Sequence, residues 1–133
     1  MMENVYKIAT SFLNSKGKTM VTIYHNPRCS KSRQTLQLLE DNGVTPEIVL
    51  YLENTPDKTT LATIQKSLGV DARGMMRTKE AEYKEQNLAN GSLSDSDLLD
   101  AMVNTPKLIE RPIVVKGKKA AIGRPPESVL DIL

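Results

Sequence analysis

The chain has 133 residues, 39% hydrophobic and 26% charged, with a formal net charge of +2 and a single cysteine. That length holds one domain with its own core and is too short for two. Lysine and arginine are scattered among acids with only 4% aromatics, which argues against a nucleic-acid-binding stripe, and no apolar run approaches the roughly 20 residues that span a bilayer.

The first residues, MMENVYKIATSFLNSKGKT, have neither a sustained apolar stretch nor a small-residue cleavage site, and one cysteine forms no internal disulfide. A cytoplasmic location is expected, with no membrane or nucleic-acid partner. Residues 1–19 read as an extension: a docking helix, a loose tail or an over-long gene start, since Met20 stands directly before the first strand. The domain itself is expected over residues 20–133.

Val21–Tyr24 is β-rich and ends at the Asn26-Pro27 turn signal, predicting a first strand. A helix is expected to open at Lys31 or Ser32, present Leu36, Leu38 and Leu39 on its apolar face, and stop at Asn42-Gly43. Glu47 to Leu52, EIVLYL, reads as a second strand, and the β-loop-α-β spacing suits a parallel crossover. Thr55-Pro56 predicts a cap with proline at the first helical position, the helix running through Leu61, Ile64 and Leu68 to Gly69. Asp71 caps a further helical stretch, ARGMMRTK, and EAEYKEQN supplies another turn or two. Ser94 with Asp97 resembles a capping box that opens DSDLLDAMVN, which Pro106 ends. Ile113–Val115 and Lys119–Ile122 form a hairpin around Lys116-Gly117, and Pro125-Pro126 start a last helix, ESVLDIL. This order predicts an α/β fold: a thioredoxin-like four-stranded mixed sheet with flanking helices, and a helical insertion between its β-α-β and β-β-α halves.

Cys29 lies outside every apolar run, in a short polar loop ahead of the first helix. Unpaired N–H groups and the dipole at a helix start favour an anion, and Arg28, Lys31 and Arg33 add positive potential. An exposed, reactive thiolate is therefore expected there. His25, the only histidine, is placed to hydrogen-bond the loop or the thiolate. One cysteine and one histidine supply no metal ligand set, so no metal is expected. CSKS also lacks the second thiol of C-x-x-C: the Ser32 hydroxyl can donate to a thiolate but cannot resolve a disulfide. Any redox cycle must take its second thiol from outside, such as glutathione or a glutaredoxin, and no bound cofactor is expected.

Six arginines occur, and Arg77, Arg111 and Arg124 stand out among them. Arg77 falls inside an apolar stretch read as helical, beside Met75 and Met76; Arg111 precedes Pro112, and Arg124 precedes Pro125. Guanidinium forks match tetrahedral oxyanions bidentately, so arginines gathered near a thiolate would bind an oxyanion. Taken singly, each reads more simply as a solvated surface charge or cap.

The motifs IYHNPRCSKSRQTL, EIVLYL, MMRTKE, PKLIERPIVV and IGRPPESVLDIL run in that order from about Val21 to Leu133. They resemble the arsenate reductase family with a glutaredoxin-like (thioredoxin-like) fold, the ArsC type, and within it the YfgD-type branch. The resemblance implies Cys29 as the catalytic cysteine and Arg77, Arg111 and Arg124 as the binders of the substrate oxyanion. It implies supporting roles for His25 and Ser32 and a cis peptide bond at Pro112. Where well-studied arsenate reductases carry Gly-Thr, this chain has Ser30-Lys31. The implied activity is arsenate reduction, with glutathione as co-substrate and a glutaredoxin as partner. Two other readings stay open: a monothiol glutaredoxin-like oxidoreductase, and an Spx-like regulator that binds RNA polymerase.

Overall fold

Alternating branched side chains build the sheet. In β1 (Val21–Tyr24), Val21 and Ile23 are buried while their neighbours are half-buried, the period-two pattern of a strand with a core on one side. This computed structural model describes residues 19–133. The expected extension therefore lies, Thr19 apart, outside the described residues. After β1 come α1 (Ser30–Asp41), β2 (Glu47–Val49), α2 (Lys58–Leu68), α3 (Ala81–Glu85), α4 (Asp95–Asn104), β3 (Ile113–Lys116) and β4 (Lys119–Ile122). Single 3-10 segments cover Ala72–Met75, Pro106–Leu108 and Pro126–Ile132.

The strand order is β2-β1-β3-β4, with β1 parallel to β2 and the other two pairings antiparallel. Ile23 stands between Ile48 of β2 and Val114 of β3. Successive residues of β3 serve opposite faces. Val114 joins Val21, Ile23, Leu39 of α1 and Val129 of the last segment in one cluster. Ile113 joins Tyr51, Leu61 and Ile64 of α2, and Leu98 and Met102 of α4, in the other. Each such fully buried aliphatic contributes about 1.5–3 kcal/mol of transfer free energy. Helices thus cover both faces of a mixed four-stranded sheet, the thioredoxin-like arrangement that the element order predicts.

Local chemistry sets most boundaries. Gly69, at φ 71°, ends α2 in the left-handed conformation that glycine adopts without a Cβ penalty. Ser94 and Asp97 form a reciprocal capping box at α4. Four expectations change. The second strand stops at Val49, because Leu50–Asn54 turns, with Glu53 N and Asn54 N donating to Leu50 O at 2.9 and 2.8 Å. The cap of α2 is Asp57, whose carboxylate accepts Thr60 N–H at 2.8 Å, leaving Thr55-Pro56 ahead of the helix. Asp71 caps only a 3-10 turn, so Arg77 is not helical: Met76 bridges Ile109, and Arg77 N donates to Leu108 O at 2.7 Å. The last helix is 3-10 rather than α, since its short run after two prolines closes i to i+3 bonds such as Ser128 N to Pro125 O at 3.0 Å.

Candidate active site

At the end of β1, His25 N donates to Val49 O at 2.9 Å, and the chain then leaves the sheet through Asn26-Pro27-Arg28. A tight turn closes when Cys29 N donates to Asn26 O at 3.0 Å. Cys29 becomes the N-cap of α1, in extended conformation, with its carbonyl accepting Arg33 N–H at 3.0 Å. No side chain caps this helix start. The thiol thus stands where orphan N–H groups and the positive end of the dipole are concentrated. Cys29 is half-buried rather than fully exposed, with Arg124 Nη1 3.9 Å from its Sγ.

The two supporting residues hold the loop. Ser32 and His25 are buried; Ser32 Oγ accepts Asn26 N–H at 3.0 Å and lies 2.7 Å from His25 Nδ1. The Ser32 hydroxyl is therefore engaged with His25 and the loop backbone. Burial, aided by the nearby Arg33 guanidinium, lowers the His25 pKa below its usual 6.5, so the imidazole serves as a neutral strut at pH 7. Arg33 itself braces the loop, donating from Nη1 to Pro27 O at 2.9 Å.

The β3–β4 half delivers two of the three arginines. The Arg111–Pro112 and Arg124–Pro125 peptide bonds are both cis. Arg124 Nη1 lies 3.9 Å from Cys29 Sγ and donates to Arg111 O at 3.3 Å, and its Nε faces Glu110 Oε1 at 3.8 Å. Arg77 Nε pairs with Glu80 Oε2 at 3.0 Å. Two guanidinium nitrogens, Arg77 Nη1 and Arg111 Nε, are buried without a hydrogen-bond partner. Buried donors in that state are costly unless something accepts from them. Tyr51 ties the parts together: burial pushes its phenol up to about 12 against the pull of Arg77, and the Cys29 sulfur and Glu110 also act on it.

A cleft of about 400 Å³ opens beside the loop, lined by His25–Arg28, Leu50–Glu53, Glu80, Lys107 and Arg111. It flanks the thiol and does not enclose it. Three residues of the site carry no signal in the sequence. Glu80 and Glu110 are two acids among sixteen, and only the fold sets them on Arg77 and Arg124. Gly123 lets α1 approach the Pro112 segment, since a Cβ there would stand 2.5 Å from Thr35 Oγ1 and 2.8 Å from Pro112 Cγ. Among the described residues no group of three or more histidine, cysteine, aspartate or glutamate side chains is gathered to hold a metal, and no helix is long and apolar enough to cross a membrane.

A thioredoxin-like sheet carrying one thiol at a helix N-terminus, with an arginine on the sulfur, defines a single-cysteine class within that fold. Sequence comparison narrows the class. The ArsC family model matches residues 24–132. YfgD of Escherichia coli K12 is 62% identical over 114 residues, 85% of this chain and 96% of its own. The arsenate reductase of Haemophilus influenzae Rd is 55% identical, over 85% of this chain and 98% of its own. A solved arsenate reductase from Vibrio cholerae superposes with a TM-score of 0.84 at 54% identity, covering 86% of this chain and 98% of that one. The chain belongs to the ArsC family.

Proposed function

We propose that the protein is an arsenate reductase in which Cys29 is the nucleophile and Arg77, Arg111 and Arg124 bind the substrate oxyanion. One observation carries the reading: Arg124 Nη1 stands 3.9 Å from Cys29 Sγ, while Arg77 Nη1 and Arg111 Nε are buried donors with nothing to donate to. A tetrahedral oxyanion beside the thiol accepts from all three. The names of the relatives described above favour arsenate among oxyanions.

The Cys29 thiolate attacks arsenic(V), an S–As bond forms, and one oxygen leaves as water after taking up a proton. The arginines offset the negative charge that otherwise repels the thiolate, and the start of α1 adds to that field. Glutathione then joins the arsenic, displacing a second water. A glutaredoxin thiolate attacks the glutathione sulfur; the S–As electron pair stays on arsenic, reducing it to arsenic(III), and a glutathione–glutaredoxin disulfide leaves. Water then releases arsenite and restores Cys29. The cleft beside the loop has room for part of the thiol co-substrate, with Arg28 and Lys107 on its wall to meet a carboxylate. The catalytic unit is residues 20–133, which hold every residue of the site, and the two external thiols fit a reducing cytoplasm.

The test is arsenite formation from arsenate with glutathione and glutaredoxin, comparing the wild-type chain with Cys29→Ser. The reading requires turnover in the first and none in the second. Turnover of a glutathionylated peptide without any arsenite would favour the monothiol oxidoreductase instead.

A further inference from the structure

Glu110 touches two of the three arginines. Its Oε1 accepts the Arg111 backbone N–H at 3.1 Å and stands 3.8 Å from Arg124 Nε. The other end of that guanidinium is the nitrogen facing Cys29 Sγ. Backbone pairing fixes the carboxylate there: Glu110 N donates to Met75 O at 2.9 Å and Arg77 N to Leu108 O at 2.7 Å, on either side of the Met76–Ile109 bridge.

Glu80 is the second acid of this ring, but it meets cations on two sides, Arg77 at 3.0 Å and Lys107 at 3.7 Å. Among the described residues Glu110 has one ionic contact, a long one, and only 24% of its side chain is exposed. Burial raises its carboxyl above the ordinary value, Glu80 adding to the rise and Arg124 and Arg77 opposing it. An oxyanion entering among the arginines meets this carboxylate as a like charge. Protonating Glu110 removes the repulsion and frees the Arg124 fork at once.

We propose that Glu110, anchored on the Arg111 N–H and facing Arg124 Nε, positions Arg124 over Cys29 in the free protein and takes up a proton when an oxyanion docks, handing the guanidinium to the anion. This rests on the oxyanion reading above. Glu110 is a positioning residue, acting through Arg124. The charged or titratable groups that face it are Arg77, Glu80, Arg111, Arg124, Tyr51 and, through Arg124, Cys29. Tyr51, pushed up to about 12, keeps its proton throughout. That leaves Cys29, Glu80 and His25 as rival sites of any linked proton, and uptake at any of them would persist in Glu110→Gln.

Sodium sulfate is the probe, because it carries no titrating proton of its own near neutrality. Calorimetric titration in two buffers of different ionisation heat counts protons taken up per sulfate. The wild-type chain is expected to take up a fraction of a proton at about pH 6, and Cys29→Ser the same, while Glu110→Gln takes up none. Gln keeps an oxygen for the Arg111 N–H and removes the charge. Glu110→Gln is therefore expected to bind sulfate about tenfold tighter than wild type at about pH 8, with the two converging as pH falls. Carboxyl NMR of the unsubstituted chain reads the same event directly: the Glu110 midpoint should rise by about one unit on adding sulfate. Uptake that persists in Glu110→Gln, equal or weaker sulfate binding by that variant at the higher pH, or a midpoint that stays put overturns the proposal. Sulfate binding to wild type with no proton taken up also overturns it and leaves the oxyanion reading standing. No sulfate binding at all overturns both.

Discussion

A guanidinium lost from a three-arginine site removes charge-assisted hydrogen bonds at about 1.5–3 kcal/mol each, roughly ten- to more than a hundredfold in affinity. Arg77→Ala, Arg111→Ala and Arg124→Ala should each weaken arsenate binding by that factor in calorimetry, with circular dichroism unchanged. Lysine should restore only part, since it keeps the charge and loses the fork. Equal affinity in all three alanine variants would remove the anion site. His25 makes a prediction of its own. Its folded pKa lies below 6.5, so the unfolded chain binds more protons in the window between the two values. Its contribution is present above about pH 6.5 and lost as pH falls through the folded value. Glu110, raised from 4.5, has the opposite sign: its contribution is present below that value and lost as pH rises. Urea midpoints should therefore fall on acidification below about pH 6.5, and His25→Asn should flatten that slope. A slope unchanged in the variant would place the titrating group elsewhere. Cys29 stands out in the sequence because a lone thiol in a polar loop ahead of a helix announces its chemistry, whereas the three arginines are tied to the site only by the resemblance, each reading alone as a surface charge or cap. Glu110 carries no such signal, because a glutamate beside an arginine looks like any solvated pair until the Met76–Ile109 bridge buries it.

Between elements, the contact that matters most to the site is α1 against the start of β3 and the end of β4. Gly123 N donates to Pro112 O at 2.9 Å, and Thr35 Oγ1, bonded to Lys31 O at 2.8 Å, sits over Gly123. A methyl group at position 123 meets Thr35 and the Pro112 ring together, so one of the two must move. Gly123→Ala should cost about 1–3 kcal/mol, read as a lower thermal midpoint. Its activity loss should exceed what the lost stability explains, because displacing α1 carries Cys29 away from Arg124. Adding Thr35→Ala should recover part of the stability and leave the Pro112 contact unrelieved. A Gly123→Ala chain as stable and active as wild type would refute this account. The sequence reveals the elements where local rules decide: the Ser94–Asp97 box and the Gly69 stop depend on neighbours a few residues away. It does not reveal the early end of β2 at Val49 or the 3-10 form of the last segment. Both depend on what the chain must pack against after leaving the sheet, as the burial of Tyr51 illustrates.

Across the whole molecule, the order of strands and helices is readable from its punctuation, since glycine and proline mark nearly every turn. The convergence proposed for residues 29, 77, 111 and 124 is not, because no local pattern encodes a meeting across so much chain. On the proposed function, an anion bound by all of them stabilises only the finished fold. Arsenate or sulfate at a hundred times its dissociation constant should add about 2.7 kcal/mol to wild type, and about 1.4 kcal/mol or less to Arg111→Ala at the same concentration, so the thermal midpoint should rise less in the variant. The kinetic consequence is sharper. Cys29 arrives with the first β-α unit, Arg77 lies within the helical insertion, and Arg111 and Arg124 flank the closing hairpin. A partly assembled chain thus has nothing for the ion to hold. In a chevron plot, added oxyanion should depress the unfolding limb and leave the refolding limb where it was. The ion acts as a latch that fastens after the door has closed.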